Sequence, residues 1–267
     1  MKKIISLVLV AIMAITSMLA LTSCNANPED TLVCGVTPFE KMNEQLPDGT
    51  WTGFESDFAT AVAEKLGMKV KFVEINWDNK YNEVNSGAID CIWNGFTANT
   101  AEKNGTKRSD LVDFSYGYML NQQCIVVKSS KLAEITSEAD LAGKSACVEA
   151  GSAGEAYAAG VTEEEKIVGA PTQINTFAEV KSGAVDFAVV DIVLAQNICG
   201  QGDYTDLVIV DAIKLPSEVY AIGFKKDSPL TDKVNAAIKE LDEDGTLEAL
   251  AKKYGFENVV KVMETFE

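Results

Sequence analysis

The sequence predicts an α/β protein of two lobes, each a mostly parallel sheet flanked by helices, joined by two extended strands. Three observations predict it. Short β-branched or apolar runs alternate with amphipathic runs, the pattern of βαβ units rather than of a sandwich. One phrase occurs twice: residues 83–94 read EVNSGAIDCIWN, and residues 179–190, which begin 96 positions later, read EVKSGAVDFAVV. Two long extended stretches, 119–128 and 218–224, flank the middle of the chain. They imply a crossing from lobe one to lobe two near residue 123 and a return near 221, so that lobe one is built from both ends of the chain.

The first element is not part of the fold. Lys2 and Lys3 lead into an apolar run over 4–21, the pattern of a secretory leader over 1–23. The acid- and asparagine-rich stretch that follows reads as a short tether over 24–30. About 244 residues remain, enough for two lobes of ordinary size. Lobe one is expected over 31–123 and 221–267, and lobe two over 124–220. In order, the pattern gives strand 31–36, helix 55–66, strand 69–74, helix 79–86 and strand 89–93. In the helix at 55–66, Phe58, Ala61, Val62 and Leu66 share a face and Gly67 stops it. The pattern then repeats: strand 145–148, helix 153–159, strand 166–168, helix 174–181, strand 185–190 and helix 191–198. Two helices near 230–241 and 246–254 close the chain, with Asp242-Glu243-Asp244-Gly245 as the turn between them.

The repeated phrase reads as a helix-to-strand corner, one in each lobe. Glu-Val-x-Ser ends a helix, Gly takes the left-handed position, and Asp precedes a short buried strand. The strands that follow emerge near Asn94-Gly95 and Val190-Asp191, and ligands of open α/β sheets bind outside the carboxyl ends of strands.

Composition removes several function classes. The formal charge is −17, or −19 without Lys2 and Lys3, so a polyanion such as nucleic acid would be repelled. The chain has no histidine, which excludes Ser-His-Asp and Cys-His chemistry and the HExxH zinc helix. Ala150-Gly151-Ser152-Ala153-Gly154 lacks the first glycine of a G-x-S-x-G elbow, and there is no P-loop and no G-x-G-x-x-G. No cofactor or metal is expected. Beyond Cys24, the cysteines Cys34, Cys91, Cys124, Cys147 and Cys199 are odd in number and widely spaced. They read as small hydrophobes rather than a disulfide framework.

Several motifs in order resemble one family. Gly53-Phe54-Glu55-Ser56-Asp57-Phe58-Ala59 is similar to its G-F-D-x-D signature. Ser86-Gly87-Ala88-Ile89-Asp90 with Asn94-Gly95-Phe96-Thr97 matches its S-G-x-I-D run, and Val112-Asp113-Phe114-Ser115 its V-D-F-S element. Asp244-Gly245-Thr246-Leu247 with Lys253-Tyr254-Gly255 matches its C-terminal helices. The chain thus resembles the extracellular solute-binding proteins of family 3, which serve ATP-driven importers of polar amino acids, over about residues 31–257.

That resemblance implies a periplasmic-binding-protein-like (type II) fold, and a binding protein rather than an enzyme, closing on an amino acid. It implies the following site. Arg108, four residues before Val112 and the sole arginine of the chain, would hold the ligand α-carboxylate with its donor fork. The loop 99–106 before it is enlarged relative to the family, which leaves Lys103 as a weaker substitute. Thr97 would bond the carboxylate or ammonium, and the backbone of Asn94 and Gly95 would accept from the ammonium. Ser152 and the amide of Ala153 would meet the carboxylate at a helix start. Asp191 would pair with the ammonium or cap the helix at 191–198. Phe39 and Trp77 would sandwich the ligand side chain or simply fill the core. Glu149 stands where family members carry lysine, and either favours a ligand with a donor or cation on its side chain or points to solvent.

Leu21-Thr22-Ser23-Cys24 resembles a bacterial lipobox, which implies acylation of Cys24 and a lipid-anchored protein on the outer face of the cytoplasmic membrane. The partners implied are an amino acid, an importer permease and, through the lipid, the membrane; a monomer is expected. The fold also hosts a dehydratase of cyclic dienyl acids, for which Glu149 is the one candidate general acid, and ligand-sensing subunits of receptors.

Overall fold

Alternation of apolar and polar positions is realised almost element for element in the computed structural model, which describes residues 30–266. The leader, Cys24 and the tether up to residue 29 lie outside the described residues. The first part of the chain forms β1 (Thr31–Val36), β2 (Glu44–Gln45), β3 (Trp51–Thr52), α1 (Phe54–Lys65), β4 (Lys69–Glu74), α2 (Lys80–Ser86), β5 (Cys91–Ile92), α3 (Arg108–Leu111) and β6 (Asp113–Phe114). The middle forms β7 (Gly117–Lys128), β8 (Ala146–Glu149), α4 (Ala153–Val161), β9 (Ile167–Ala170), α5 (Gln173–Ser182), β10 (Phe187–Asp191), α6 (Ile192–Ile198) and β11 (Leu207–Ile209). The chain ends with β12 (Ser217–Tyr220), β13 (Gly223–Phe224), α7 (Pro229–Glu243), α8 (Thr246–Tyr254) and β14 (Val260–Met263).

Two sheets result. The first has the order β4-β1-β5-β13-β6, and the second contains β11-β7-β10-β8-β9. In each, three neighbouring strands are parallel: β4, β1 and β5 in one, β10, β8 and β9 in the other. The antiparallel members are the strands on or next to the crossings between sheets. β13 runs against β5 and β6, and β7 runs against β10 and β11. The 12-residue β7 pairs with β12 and β14 through its first half and with β10 and β11 through its second. The extended stretch expected over 218–224 is divided into β12 and β13, and the small β2–β3 hairpin, α3, β6, β11 and β14 carry no periodicity long enough to be read from sequence.

Helix α1 shows how the core is built. Phe54, Phe58 and Val62 are completely buried, and each contributes roughly 1.5–3 kcal/mol by leaving water. Phe58 meets Trp93 edge-on at 5.2 Å and Tyr118 at 5.5 Å, while α7 and α8 cover the outer side of α1. Four of the five described cysteines sit buried on strands, in β1, β5, β7 and β8, with the Cys34 and Cys91 sulfurs 3.7 Å apart.

The repeated phrase does the same thing in both lobes. Gly87 ends α2 at φ 78° and Gly183 ends α5 at φ 80°, both left-handed. The amides of Ala88 and Ala184 bond back to the carbonyls of Glu83 and Glu179, each at 3.1 Å. Asp90 accepts from the amide of Val33 on β1 at 2.7 Å, and Asp186 from the amide of Ser145, just before β8, at 2.8 Å. Each aspartate therefore ties the strand it precedes to its parallel neighbour. That fixes register and aims β5 and β10 at the same region.

Candidate functional site

The carboxyl ends of the parallel strands of both sheets converge on one small cavity. It is lined by Trp77, Asn94, Gly95, Thr97, Arg108, Gln123, Glu149, Ser152, Ala153, Gln173 and Asp191. Trp77 follows β4, and Asn94 and Gly95 follow β5. From the other sheet, Glu149 ends β8, Gln173 opens the helix after β9, and Asp191 ends β10. Nine of the ten residues expected at a ligand site are thus brought together. Phe39 is the exception: it is buried in the core behind the wall, its ring 3.0 Å from where a Cβ on Gly95 would stand.

Arg108 reaches the cavity despite the enlarged loop, because the loop closes on itself. Ala101 bridges Lys107, the amide of Glu102 bonds the carbonyl of Thr106 at 2.9 Å, and the chain returns to its starting point as a small hairpin. The guanidinium is 1% exposed. Its Nε donates to Glu102 Oε1 at 2.8 Å, and its two outer nitrogens donate to the carbonyls of Thr97 at 3.0 Å and Gly151 at 3.3 Å. Lys103 is no substitute for it: half exposed and outside the cavity, it bonds Glu155 of α4 at 3.0 Å across the lobes.

Asp191 occupies the position before α6 without capping it by its side chain. Its Oδ1 instead accepts from Asn121 at 2.5 Å and from Gln123 at 2.6 Å, and its Oδ2 accepts from Gln173. Burial raises its pKa, and these amide donors oppose the shift. Ser152, by contrast, caps α4, accepting from the amide of Glu155 at 3.1 Å. Thr97 donates its hydroxyl to Glu218 at 3.1 Å. Asn94 is held by Thr37 through two bonds of 2.5 and 2.9 Å.

Glu149 faces the cavity and not solvent. It is 4% exposed, and its Oε1 has no hydrogen-bond partner. Burial pushes its pKa up to about 8, reinforced by Asp191 and opposed by Lys80 and Arg108.

Several site groups escape sequence reasoning. Lys80, at the start of α2, is 1% exposed. It donates to the Gly151 carbonyl at 2.8 Å and lies 4.5 Å from the centre of the Tyr81 ring. Burial lowers its pKa to about 8. Glu218, pushed up to about 7 by burial and by Asp191, accepts from Asn121 and Gln123. Glu55 is fully buried and supports the site from behind. It accepts from the Gly95 amide at 2.7 Å, from Asn43 at 2.6 Å and from the Tyr118 hydroxyl, and burial pushes it up to about 7. Its signal was present, since it stands in the G-F-E-S-D run, but the run names no partner.

Gly151 is one place where the lobes touch. Its φ is 74°, and a Cβ there would stand 2.9 Å from the Asp78 Cα on the opposite lobe. Lys80 and Arg108 both donate to its carbonyl, so two cations of the first lobe meet one backbone oxygen of the second.

The family model for bacterial extracellular solute-binding proteins, family 3, matches residues 32–258. The arginine-binding extracellular protein ArtP of Bacillus subtilis (strain 168) is 29% identical over 246 residues, 88% of this chain and 92% of that protein. The L-cystine-binding protein TcyA of the same organism is 30% identical over 210 residues, 79% of this chain and 75% of that protein. Among solved structures, an ancestral arginine-binding protein bound to arginine superposes with a TM-score of 0.75 at 33% identity, covering 84% of this chain and 98% of that one. The fold is accordingly the two-lobed type II binding-protein fold. Among the described residues, no helix is long and apolar enough to cross a membrane.

Proposed function

The chain belongs to the bacterial extracellular solute-binding proteins, family 3, and on that footing we propose that it captures an α-amino acid between its lobes and delivers it to an ATP-driven importer. The observation that carries the reading is that Arg108, from the first lobe, and Asp191, from the second, line one buried cavity. An α-amino acid bears one anionic and one cationic group on the same carbon, and these two side chains offer the matching charges. In this reading Arg108, Thr97, Ser152 and the Ala153 amide hold the carboxylate. Asp191 and the backbone of Asn94 and Gly95 hold the ammonium, and Trp77 bounds the side chain, with Phe39 behind the wall at Gly95.

Closure follows from differential affinity. Only with the lobes together are both ligand charges met, so ligand shifts the population toward the closed form. The lobes divide near residues 123 and 221, and β7 and β12 act as the hinge. The closed monomer docks on a permease, held at the outer face of the cytoplasmic membrane by lipid on Cys24. A ligand-sensing receptor subunit would use the same binding chemistry.

The enzyme reading retains one supporting observation: a carboxyl group held at about 8 is protonated at neutral pH and could serve as a general acid, as a dehydratase on this fold would require of Glu149. Incubation with prephenate or arogenate tests it, and aromatic product would favour it. The binding reading is tested by a thermal-shift screen of the twenty amino acids, cystine and ornithine, because a ligand that binds only the folded state raises the melting temperature. At least one amino acid should do so; a flat screen would end the reading. Labelled palmitate incorporated by the parent and lost in Cys24→Ser tests the anchor.

A further inference from the structure

Two of the charged groups lining the cavity answer features that every α-amino acid shares, so neither Arg108 nor Asp191 can select among them. The remaining one is Glu149. The carboxylates around it are engaged by the protein itself. Asp191 is held by Asn121, Gln123 and Gln173, Glu218 by Thr97, Asn121 and Gln123, and Glu102 by Arg108 and Tyr81. Glu149 alone among them keeps a buried oxygen without a donor. The nearby cations make their hydrogen bonds elsewhere: Lys80 donates to the Gly151 carbonyl, and Arg108 donates to Glu102, Thr97 and Gly151.

A buried acceptor left unpaired is costly, and the cost vanishes when a donor arrives. Charge says which donor. A side-chain cation set against that oxygen lets Glu149 release its proton and pair as the carboxylate. A neutral side chain offers it at most a hydrogen bond. We infer that Glu149 is the specificity-determining residue of this site and that it selects amino acids whose side chain ends in a second cation, the chemistry of lysine, ornithine and arginine. The inference rests on the reading that the cavity takes an α-amino acid, and it adds which class.

The test is titration calorimetry with charged and neutral partners of matched shape: lysine against norleucine, and arginine against citrulline. The parent should bind the cationic member of at least one pair about 100-fold or more tighter, the scale expected of a close charge pair out of water. In Glu149→Gln, checked for folding by near-ultraviolet circular dichroism, that ratio should fall below about 10-fold. Two results would overturn the inference while leaving amino-acid capture intact: a parent that prefers cystine, glutamine or an acidic amino acid to every dibasic one, or an unchanged ratio in Glu149→Gln. The parent's own preference needs no variant, so misfolding of Glu149→Gln cannot shield the inference. Binding of no amino acid at all would instead defeat the reading beneath it.

Discussion

Replacing Arg108 by alanine separates the two tasks its guanidinium performs. It makes three charge-assisted hydrogen bonds at 2.8, 3.0 and 3.3 Å while 1% exposed. Removing it leaves Glu102 with the Tyr81 hydroxyl and a Lys80 ammonium 3.7 Å away, leaves the Gly151 carbonyl with Lys80 alone, and takes the guanidinium donor from the Thr97 carbonyl. Because the Glu102 side chain is 15% exposed, solvent recovers part of the loss. The expected cost in stability is about 2–4 kcal/mol, a fall in melting temperature of about 4–16 °C for a chain of this size. Ligand affinity should fall by more, because the ligand carboxylate would be buried without its fork: about 3 kcal/mol or above, at least about 100-fold in Kd. Arg108→Lys keeps the charge but not the planar pair of donors, and should lose at least about 10-fold. The assay is titration calorimetry with the amino acid that the thermal screen selects, alongside ligand-free melts of the same preparations. A folded Arg108→Ala that binds within about threefold of the parent would refute the carboxylate assignment, however large the loss of stability.

Three further outcomes are expected. Gly151→Ala forces a Cβ to 2.9 Å from the Asp78 backbone at a φ of 74°, so closure should be blocked. Affinity should drop about tenfold or more, and small-angle scattering at saturating ligand should give a larger radius of gyration; an unchanged radius and affinity would show that the contact is not required. The pH dependence follows from Glu55, Glu149 and Glu218, held at about 7, about 8 and about 7 against an ordinary 4.5. The folded protein binds more protons than the unfolded chain in that interval, so their contribution is full below the unfolded value and is lost as pH rises through the folded ones. The ligand-free melting temperature should therefore fall from about pH 5 to about pH 8. The groups facing Glu149 are Asp191, Lys80, Arg108 and Gln173, and Lys80, depressed to about 8, acts only above that interval. Glu149→Gln should flatten the profile, and a rise over the same range would contradict the assignment. Lys103→Ala removes a half-exposed bridge to Glu155, so stability should change by less than about 1 kcal/mol in thermal melts; a larger loss would mean that the loop hairpin is a strut between the lobes.

What the sequence determined by itself is whatever depends on neighbours within a few residues. The alternation of strand and helix, the left-handed Gly87 and Gly183, and the aspartates that follow them are set by periodicity and backbone sterics, which are local. They sufficed to find both corners and the two strand ends, at Asn94 and Asp191, that meet in the cavity. A sole arginine among many lysines was legible in the same way, whereas Ser152, expected as a carboxylate contact, proves to cap α4.

Only the tertiary structure decided which polar groups lose water and which partners they then find. Asn121 and Asp191 are 70 positions apart, Arg108 and Gly151 are 43, and Lys80 and Gly151 are 71. No short-range pattern marks Gln123, Gln173 or Glu218 as members of one network, or Glu55 as its support. The hairpin that returns Arg108 to the site, and the burial that leaves one oxygen of Glu149 without a donor, depend on two sheets closing face to face. Burial and pairing are properties of that closure, and a residue's neighbours along the chain carry no record of it.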